Sequence, residues 1–137
     1  MDSSDLKILR MLLLDARAPL SRIAKALGIS MPAVQKRIER LKNKGVIVGS
    51  RIIINDSMIG WKRAIVALNA SKAGYAGLLA QITKLPLVTG ISQVTGPYSI
   101  LVELQGPSGV INAVIAHIRK MHGISDCCAI SIAERVV

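Results

Sequence analysis

The sequence predicts an α+β chain in which a helical N-terminal third precedes a half that alternates strands and helices. Two observations lead to this fold class. Apolar residues recur at helical spacing up to Gly45, and turn residues separate these segments. In the second half, a sequence pattern that predicts strands and a helix occurs twice, with the two copies 36 positions apart and aligned without a gap.

The first helix is expected to begin after Ser3 or Ser4, either of which can cap it, and to end before Pro19. Its predicted inward face follows the i, i+3, i+4, i+7 spacing and consists of Leu9, Leu12, Leu13 and Ala16. Asp5, Lys7 and Arg10 are expected on the other sides of this helix.

Two further helices are predicted on either side of a tight turn. The second runs over residues 20–27 and is followed by Gly28, which can adopt the left-handed conformation of a helix end. Ser30 is a suitable N-cap for the third helix, which turns Val34, Ile38 and Leu41 inward and stops at Gly45. Gly28-Ile29-Ser30 is therefore predicted to be the turn of a helix-turn-helix.

The outward face of the third helix is expected to carry side-chain types that can contact DNA. Glutamine can pair with adenine, and lysine or arginine with guanine or phosphate, whereas the alternative is an ordinary solvated helix face. On this face Pro32, Ala33, Lys36 and Arg40 are expected to point outward, with Gln35 and Arg37 beside them. The predicted DNA-binding residues are Ser21, Arg22, Ser30, Pro32, Ala33, Gln35, Lys36, Arg37 and Arg40.

The charge of the chain is concentrated in its first half. The formal net charge is +10, and the residues up to Arg63 hold 13 Lys and Arg against 5 Asp and Glu, while the remainder holds 5 against 3. Such a cationic region suits a polyanion, because each neutralised phosphate releases counterions. A basic surface without a partner is the alternative interpretation.

Two β-branched runs, 46–48 and 51–54, follow the third helix and are divided by Gly49-Ser50. They predict a β-hairpin, the wing of a winged helix-turn-helix. The predicted organisation is a DNA-binding domain over residues 1–50, a linker over 51–61, and a dimerisation domain over 62–137.

The duplicated half predicts a ferredoxin-like domain. Each copy contains a strand, an amphipathic helix and a second strand, which gives the order βαββαβ. The predicted strands are 64–68, 88–94, 100–104 and 125–133, and the helices are 75–84 and 108–121. Both helices lie on one face of such a sheet, so the other face is expected to pack against a second copy of the chain.

Several side chains that resemble functional groups are assigned no role. Cys127 and Cys128 are adjacent on a strand and point to opposite faces, so one buried and one exposed thiol is expected, and no metal. We find no catalytic set and expect no enzyme and no cofactor. The apolar runs are too short to span a bilayer, and the polar start of the chain is unlike a secretory signal, so a cytoplasmic location is expected.

The sequence resembles the Lrp/AsnC family of transcription regulators over essentially its whole length. The N-terminal part of this resemblance is carried by Asp5-Leu6-Lys7-Ile8-Leu9, Asp15-Ala16-Arg17, Ile23-Ala24-Lys25, Leu27-Gly28-Ile29-Ser30, Arg37-Ile38, Arg40-Leu41 and Gly45-Val46-Ile47. Val94-Thr95-Gly96-Pro97-Tyr98 and Met121-His122-Gly123-Ile124 resemble two later segments of the family. The resemblance implies sequence-specific binding to pseudo-palindromic double-stranded DNA, dimers that associate into octamers, and a small effector such as an amino acid or related metabolite.

The resemblance also implies that the domain over 62–137 is effector-sensing as well as dimerising, with the effector near the turn at Gly96. The candidate effector residues are Thr95, Gly96, Tyr98, Ser99, Cys127 and Ala129. Ser99 stands where the family commonly has an acidic residue, and Cys127 and Ala129 replace a pair of hydroxyl residues. Either the effector differs from an ordinary amino acid or none binds.

Two alternative functions remain open: a siroheme-type tetrapyrrole decarboxylase of similar architecture, and an architectural protein that binds DNA with low specificity.

Overall fold

The computed structural model describes residues 1–136, and the chain divides between Ile53 and Ile54 into two compact units. The first unit contains the three predicted helices, α1 (Ser3–Leu14), α2 (Leu20–Leu27) and α3 (Met31–Asn43). Their shared core is formed by Ile8, Ala18, Ile23, Ala24 and Val34. The predicted helix-turn-helix is confirmed, and α2 ends at Gly28 in the left-handed conformation, with φ of 66°.

The predicted start and inward face of α1 are wrong in part. The N-cap is Asp2, not Ser3 or Ser4, because Asp2 and Asp5 form a capping box in which each side chain accepts a hydrogen bond from the other's backbone N–H. Asp5 is buried against expectation, and Ile8 one turn later is fully buried. Leu13 is 85% exposed, and Ala16 lies beyond the end of the helix. The buried face is therefore rotated relative to the prediction.

The predicted wing hairpin is not observed. Residues 47–55 have no helix or strand, although Val48, Ile52 and Ile53 are all strand formers. These three side chains are exposed. A β-branched residue favours a strand when it has a neighbouring strand and a surface to pack on, and the described chain provides neither here.

The second unit is the predicted ferredoxin-like domain. Its elements are β1 (Trp61–Ala70), α4 (Tyr75–Thr83), β2 (Val88–Gln93), β3 (Ile100–Pro107), α5 (Ser108–Arg119) and β4 (Ile124–Ile132), with short 3-10 turns at Asp56–Ile59 and Lys72–Gly74. The strands form one antiparallel sheet in the order β2-β3-β1-β4. The two copies of the repeat thus interleave, and their first strands, β1 and β3, pair at the centre.

Alternation along the strands separates a packed face from a face without helices. Val66, Leu68 and Val102 point to the side where α4 and α5 pack, and they join the core of this unit. The opposite side, which we call the open face, carries Ile65, Ala67, Leu101, Cys128 and Ile130 as neighbours in the strand register. Ile130 is 53% exposed on this face. The predicted uncovered face of the sheet is confirmed.

The 3-10 turn before β1 is fastened to one end of the sheet. Asp56 accepts a hydrogen bond of 2.6 Å from Gln105 Nε2 and forms an ion pair of 2.7 Å with Arg63 Nε. Residues that the sequence predicts as a polar linker therefore include a turn held against β1 and β3.

Candidate nucleic-acid interface

The turn between α2 and α3 places the start of α3 at the surface of the first unit. Ser30 is the N-cap of α3, and its hydroxyl accepts a hydrogen bond of 3.3 Å from the backbone N–H of Ala33. Pro32 fits in the first turn, where its missing N–H has no helical partner in any case. Val34 and Leu41 are buried, which fixes the rotation of α3 about its axis.

The structure brings the predicted DNA-binding residues together on α2, the turn and α3. Two of them, Ala33 and Arg37, are half-buried. The exposed ones are Ser21, Arg22, Ser30, Pro32, Gln35, Lys36 and Arg40. Lys36 makes no ion pair with any described residue, whereas Gln35 Nε2 donates a hydrogen bond of 3.3 Å to Glu39 on the same helix.

Two arginines of α3 are bound to the start of α1, which the sequence analysis did not anticipate. Arg37 Nη1 lies 2.7 Å from Asp2 Oδ2 and 2.9 Å from Asp5 Oδ1. Arg40 Nη2 lies 3.0 Å and 2.9 Å from the two carboxylate oxygens of Asp5. The expectation that Arg40 simply points outward is therefore incomplete, because its guanidinium bends back to a buried carboxylate that needs a cation.

These contacts shift the pKa values of the two carboxyl groups. The hydrogen bond from Arg37, supported by the backbone N–H of Asp5, lowers the pKa of Asp2 to about 2. The pKa of Asp5 is also lowered, first by the backbone N–H of Asp2 and then by Arg37, against the effect of burial. The same two carboxylates raise the pKa of Arg37. These shifts favour the charged forms of Asp2, Asp5 and Arg37.

Asp2 and Asp5 bind two arginines of the candidate interface, and the sequence analysis did not include them in it. A signal was present, because two acidic residues at the spacing of a capping box stand directly before an apolar run. What the spacing did not reveal is that α3 returns past this cap and supplies two cations to it.

The turn that carries the candidate effector residues is fastened to the end of β1. The backbone N–H of Ser99 donates to the carbonyl of Leu68 at 3.1 Å, and Asn69 Nδ2 donates to the carbonyl of Pro97 at 2.7 Å. Gly96 adopts φ of 130°, a conformation that favours glycine. Thr95 and Gly96 are exposed at its tip.

The other candidate effector residues are less accessible. Tyr98 is half-buried, and its pKa is raised by neighbouring acidic groups, first the thiol of Cys128 and then Asp126. Cys127 and Ala129 pack against the helix-covered core, while Cys128 lies on the open face. The expectation of one buried and one exposed thiol is wrong, since both cysteines are half-buried. Within residues 1–136, no three His, Cys, Asp or Glu side chains cluster as metal ligands would.

Comparison with known proteins agrees with this architecture. Residues 1–42 match the AsnC-type helix-turn-helix domain. The chain is 38% identical to the HTH-type transcriptional regulator LysM of Saccharolobus solfataricus, over 90% of this chain and 87% of that protein. It is 30% identical to the regulator LrpA of Pyrococcus abyssi over 98% of both chains. The solved structure of Escherichia coli AsnC superimposes with a TM-score of 0.76 at 26% identity, covering 100% of this chain and 95% of that one.

A helix-turn-helix with a basic, exposed third helix, joined to a ferredoxin-like unit, defines a DNA-binding transcription regulator. The chain belongs to the Lrp/AsnC family of these regulators. Because the relatives are named as regulators, they favour regulation over the decarboxylase alternative. Among residues 1–136, no helix is long and apolar enough to cross a bilayer.

Proposed function

We propose that this regulator reads specific double-stranded DNA sites by placing α3 in the major groove. The observation that carries the proposal is the orientation of α3. Val34 and Leu41 are buried, so Pro32, Gln35 and Lys36 are presented to the outside near the start of the helix. In helix-turn-helix proteins the first residues of the recognition helix contact base edges, and here these positions carry an amide and an amine that can read them.

We further propose that the open face of the sheet forms a two-fold dimer, and that dimers can associate into octamers. Ile65, Leu101 and Ile130 form an apolar strip on this face that a second copy would remove from water. A dimer presents two copies of α3 related by a two-fold axis. Its binding site is therefore a pseudo-palindrome with half-sites spaced by about one helical turn of DNA or a multiple of it. Such a protein works in the cytoplasm, where it reaches the DNA.

Competition binding tests the specific-reader proposal. The full chain is titrated with a fragment of its own promoter region against random DNA at one salt concentration. We expect the chain to bind the specific site roughly a thousandfold or more tightly than random DNA. Equal affinities for the two would favour the architectural alternative.

A pair of lysine variants tests the role of α3. Lys36→Ala should weaken specific binding, while Lys84→Ala removes the same charge from the second unit and should leave binding unchanged. Equal behaviour of the two variants would contradict the assignment of α3 as the reading helix.

We propose that the turn around Gly96 binds a small polar effector, such as an amino acid or a related metabolite. The turn offers exposed backbone groups and the hydroxyl of Thr95, and the Tyr98 phenol lies near Cys128 and Asp126. The exposed carboxylate of Asp126 is paired with Asn69 in the strand register, close to the carbonyl of Pro97. These groups supply hydrogen bonds and one negative charge without the acidic residue that Ser99 replaces.

A thermal-shift screen of amino acids and related metabolites tests the effector proposal. An effector should raise the unfolding temperature of the native chain in proportion to the logarithm of its concentration. Tyr98→Phe should reduce that shift, while Tyr75→Phe, which removes the same hydroxyl from α4, should retain it. The absence of a shift with every compound, or an equal loss in both variants, would contradict the proposal.

A further inference from the structure

Four charged side chains form a neutral cluster where α3 crosses the start of α1. Asp2 and Asp5 contribute two negative charges, and Arg37 and Arg40 contribute two positive charges, with all N–O contacts between 2.7 and 3.0 Å. Asp5 lies at the centre. Its side chain is 1% exposed, and it accepts hydrogen bonds from both arginines and from the backbone N–H of Asp2.

The two arginines differ in what they still present to solvent. Arg37 uses Nη1 to bridge both carboxylates, and its side chain is 27% exposed. Arg40 uses only Nη2, which lies between the two oxygens of Asp5, and its side chain is 48% exposed. Nε and Nη1 of Arg40 make no hydrogen bond with the described residues. Since a guanidinium is planar and rigid, holding one nitrogen fixes the direction of the others.

We propose that Asp5 is a positioning residue for DNA binding, which holds Arg40 so that its remaining N–H groups meet a backbone phosphate. The inference rests on the proposed binding of DNA by α3. Pre-orientation of Arg40 matters because a long side chain loses rotamer freedom when it is fixed at an interface. Asp5 removes that freedom before DNA arrives.

The position of Arg40 favours a phosphate over a base edge as its acceptor. Arg40 belongs to the last turn of α3, which ends at Asn43, whereas base edges are read from the first turns of a recognition helix. Phosphate contacts set the register of the protein on the duplex and carry no sequence information of their own. Loss of this contact should therefore weaken the binding of specific DNA and of random DNA by the same factor.

If Asp5 positions Arg40, removing the carboxylate of Asp5 should change DNA affinity in the direction opposite to that expected from net charge alone. Removing a carboxylate from a DNA-binding unit makes the unit more positive, and this alone should strengthen its attraction to phosphates. If Asp5 positions Arg40, Asp5→Asn should instead weaken binding, because a neutral amide cannot hold the guanidinium as firmly.

The experiment compares Asp5→Asn with Asp15→Asn in the full chain. Asp15 is a matched control, since it is an acidic residue of the same unit whose contact with Arg22 is exposed and 3.8 Å long. We expect Asp5→Asn to bind both promoter and random DNA roughly tenfold more weakly, with the specificity ratio retained, and Asp15→Asn to bind no more weakly than the native chain. Circular dichroism establishes that the helices are folded at the binding temperature.

A second comparison tests the positioning of Arg40 even if Asp5→Asn does not fold. Arg40→Lys retains the charge but has a single nitrogen, which cannot contact Asp5 and a phosphate in the same fixed geometry. It should bind DNA as weakly as Arg40→Ala. Native affinity in Arg40→Lys, or in a folded Asp5→Asn, would overturn the positioning role while leaving specific DNA binding intact. A native chain that binds no specific DNA would overturn the proposed function and this inference together.

Discussion

At the scale of single residues, formal charge is a poor guide to which cations remain available for DNA. The first unit holds 11 Lys and Arg, and the sequence predicts both Lys36 and Arg37 as DNA-binding residues. The structure separates them, because Lys36 has no ion pair among the described residues and Arg37 bridges two carboxylates. Arg37 is therefore expected to stabilise the fold and not to neutralise phosphate.

Replacing Arg37 with alanine tests this distinction. The salt dependence of DNA affinity should stay close to native for Arg37→Ala, whereas Lys36→Ala should lower its logarithmic slope by about 0.9, the value of one phosphate contact. The unfolding temperature of Arg37→Ala should fall by roughly 5 °C, because Asp2 and Asp5 lose a shared partner. A slope reduced as much as in Lys36→Ala would contradict the structural role.

At the scale of elements, the sequence predicts best where one face of a helix or strand is both apolar and periodic. Val34 and Leu41 fix α3, and the 36-residue repeat fixes the order of the sheet. For α1 the pattern was ambiguous, since leucines occupy several sides and the buried Asp5 has no apolar signal. Its burial depends on Arg37 and Arg40, which lie more than 30 residues away. No local pattern contains that information.

The capping box of α1 predicts a loss of stability in acid. The pKa of Asp2 is about 2 in the folded chain, against about 4 for an unperturbed carboxyl, and that of Asp5 is lowered as well. The stabilisation from Asp2 is therefore present above about pH 4 and is lost as the pH falls towards 2, and Asp5 adds stabilisation that is lost in the same direction. Thermal unfolding followed by circular dichroism between pH 2 and 6 should show a steeper decline for the native chain than for Asp2→Asn.

Asp15→Asn provides the control for the acid experiment. Asp15 lies 3.8 Å from Arg22 and accepts a hydrogen bond from the backbone N–H of Arg17, which an asparagine oxygen can also accept, so Asp15→Asn should leave the decline unchanged. Identical curves for the native chain and Asp2→Asn would show that the ion pairs at the start of α1 do not contribute to acid stability.

At the scale of the whole molecule, the open face and the two copies of α3 make oligomerisation part of the proposed function. The alternation that exposes Ile130 is readable from the sequence, but the partner is not, because an apolar strand position looks the same against a helix and against another subunit. The prediction of a hairpin from the runs 46–48 and 51–54 is wrong for a related reason. The composition of these runs indicates strands, and composition does not supply a pairing strand.

A charge on the open face should break the proposed dimer. Burying an isoleucine is worth about 1.5 to 3 kcal/mol, and a two-fold interface contains two copies, so Ile130→Lys should raise the dimer dissociation constant by at least roughly a hundredfold. Val110→Lys on α5 places the same charge on another exposed apolar position and should leave the mass unchanged. Light scattering at micromolar concentration measures both, and a native mass for Ile130→Lys would contradict the assigned face.

Duplication makes the sheet nearly symmetric about its own centre, and the few positions that break the symmetry should decide how two subunits align. Shifting by 36 residues exchanges Ile65 with Leu101, but it also exchanges Ala67 with Glu103 and Ser92 with Cys128. The apolar part of the open face is thus displaced towards β4, while the β2 edge stays hydrophilic. We therefore expect the second subunit to pack mainly over β1 and β4. The approximate symmetry of the sheet would otherwise allow two similar orientations of the second subunit, and this displacement should favour one of them.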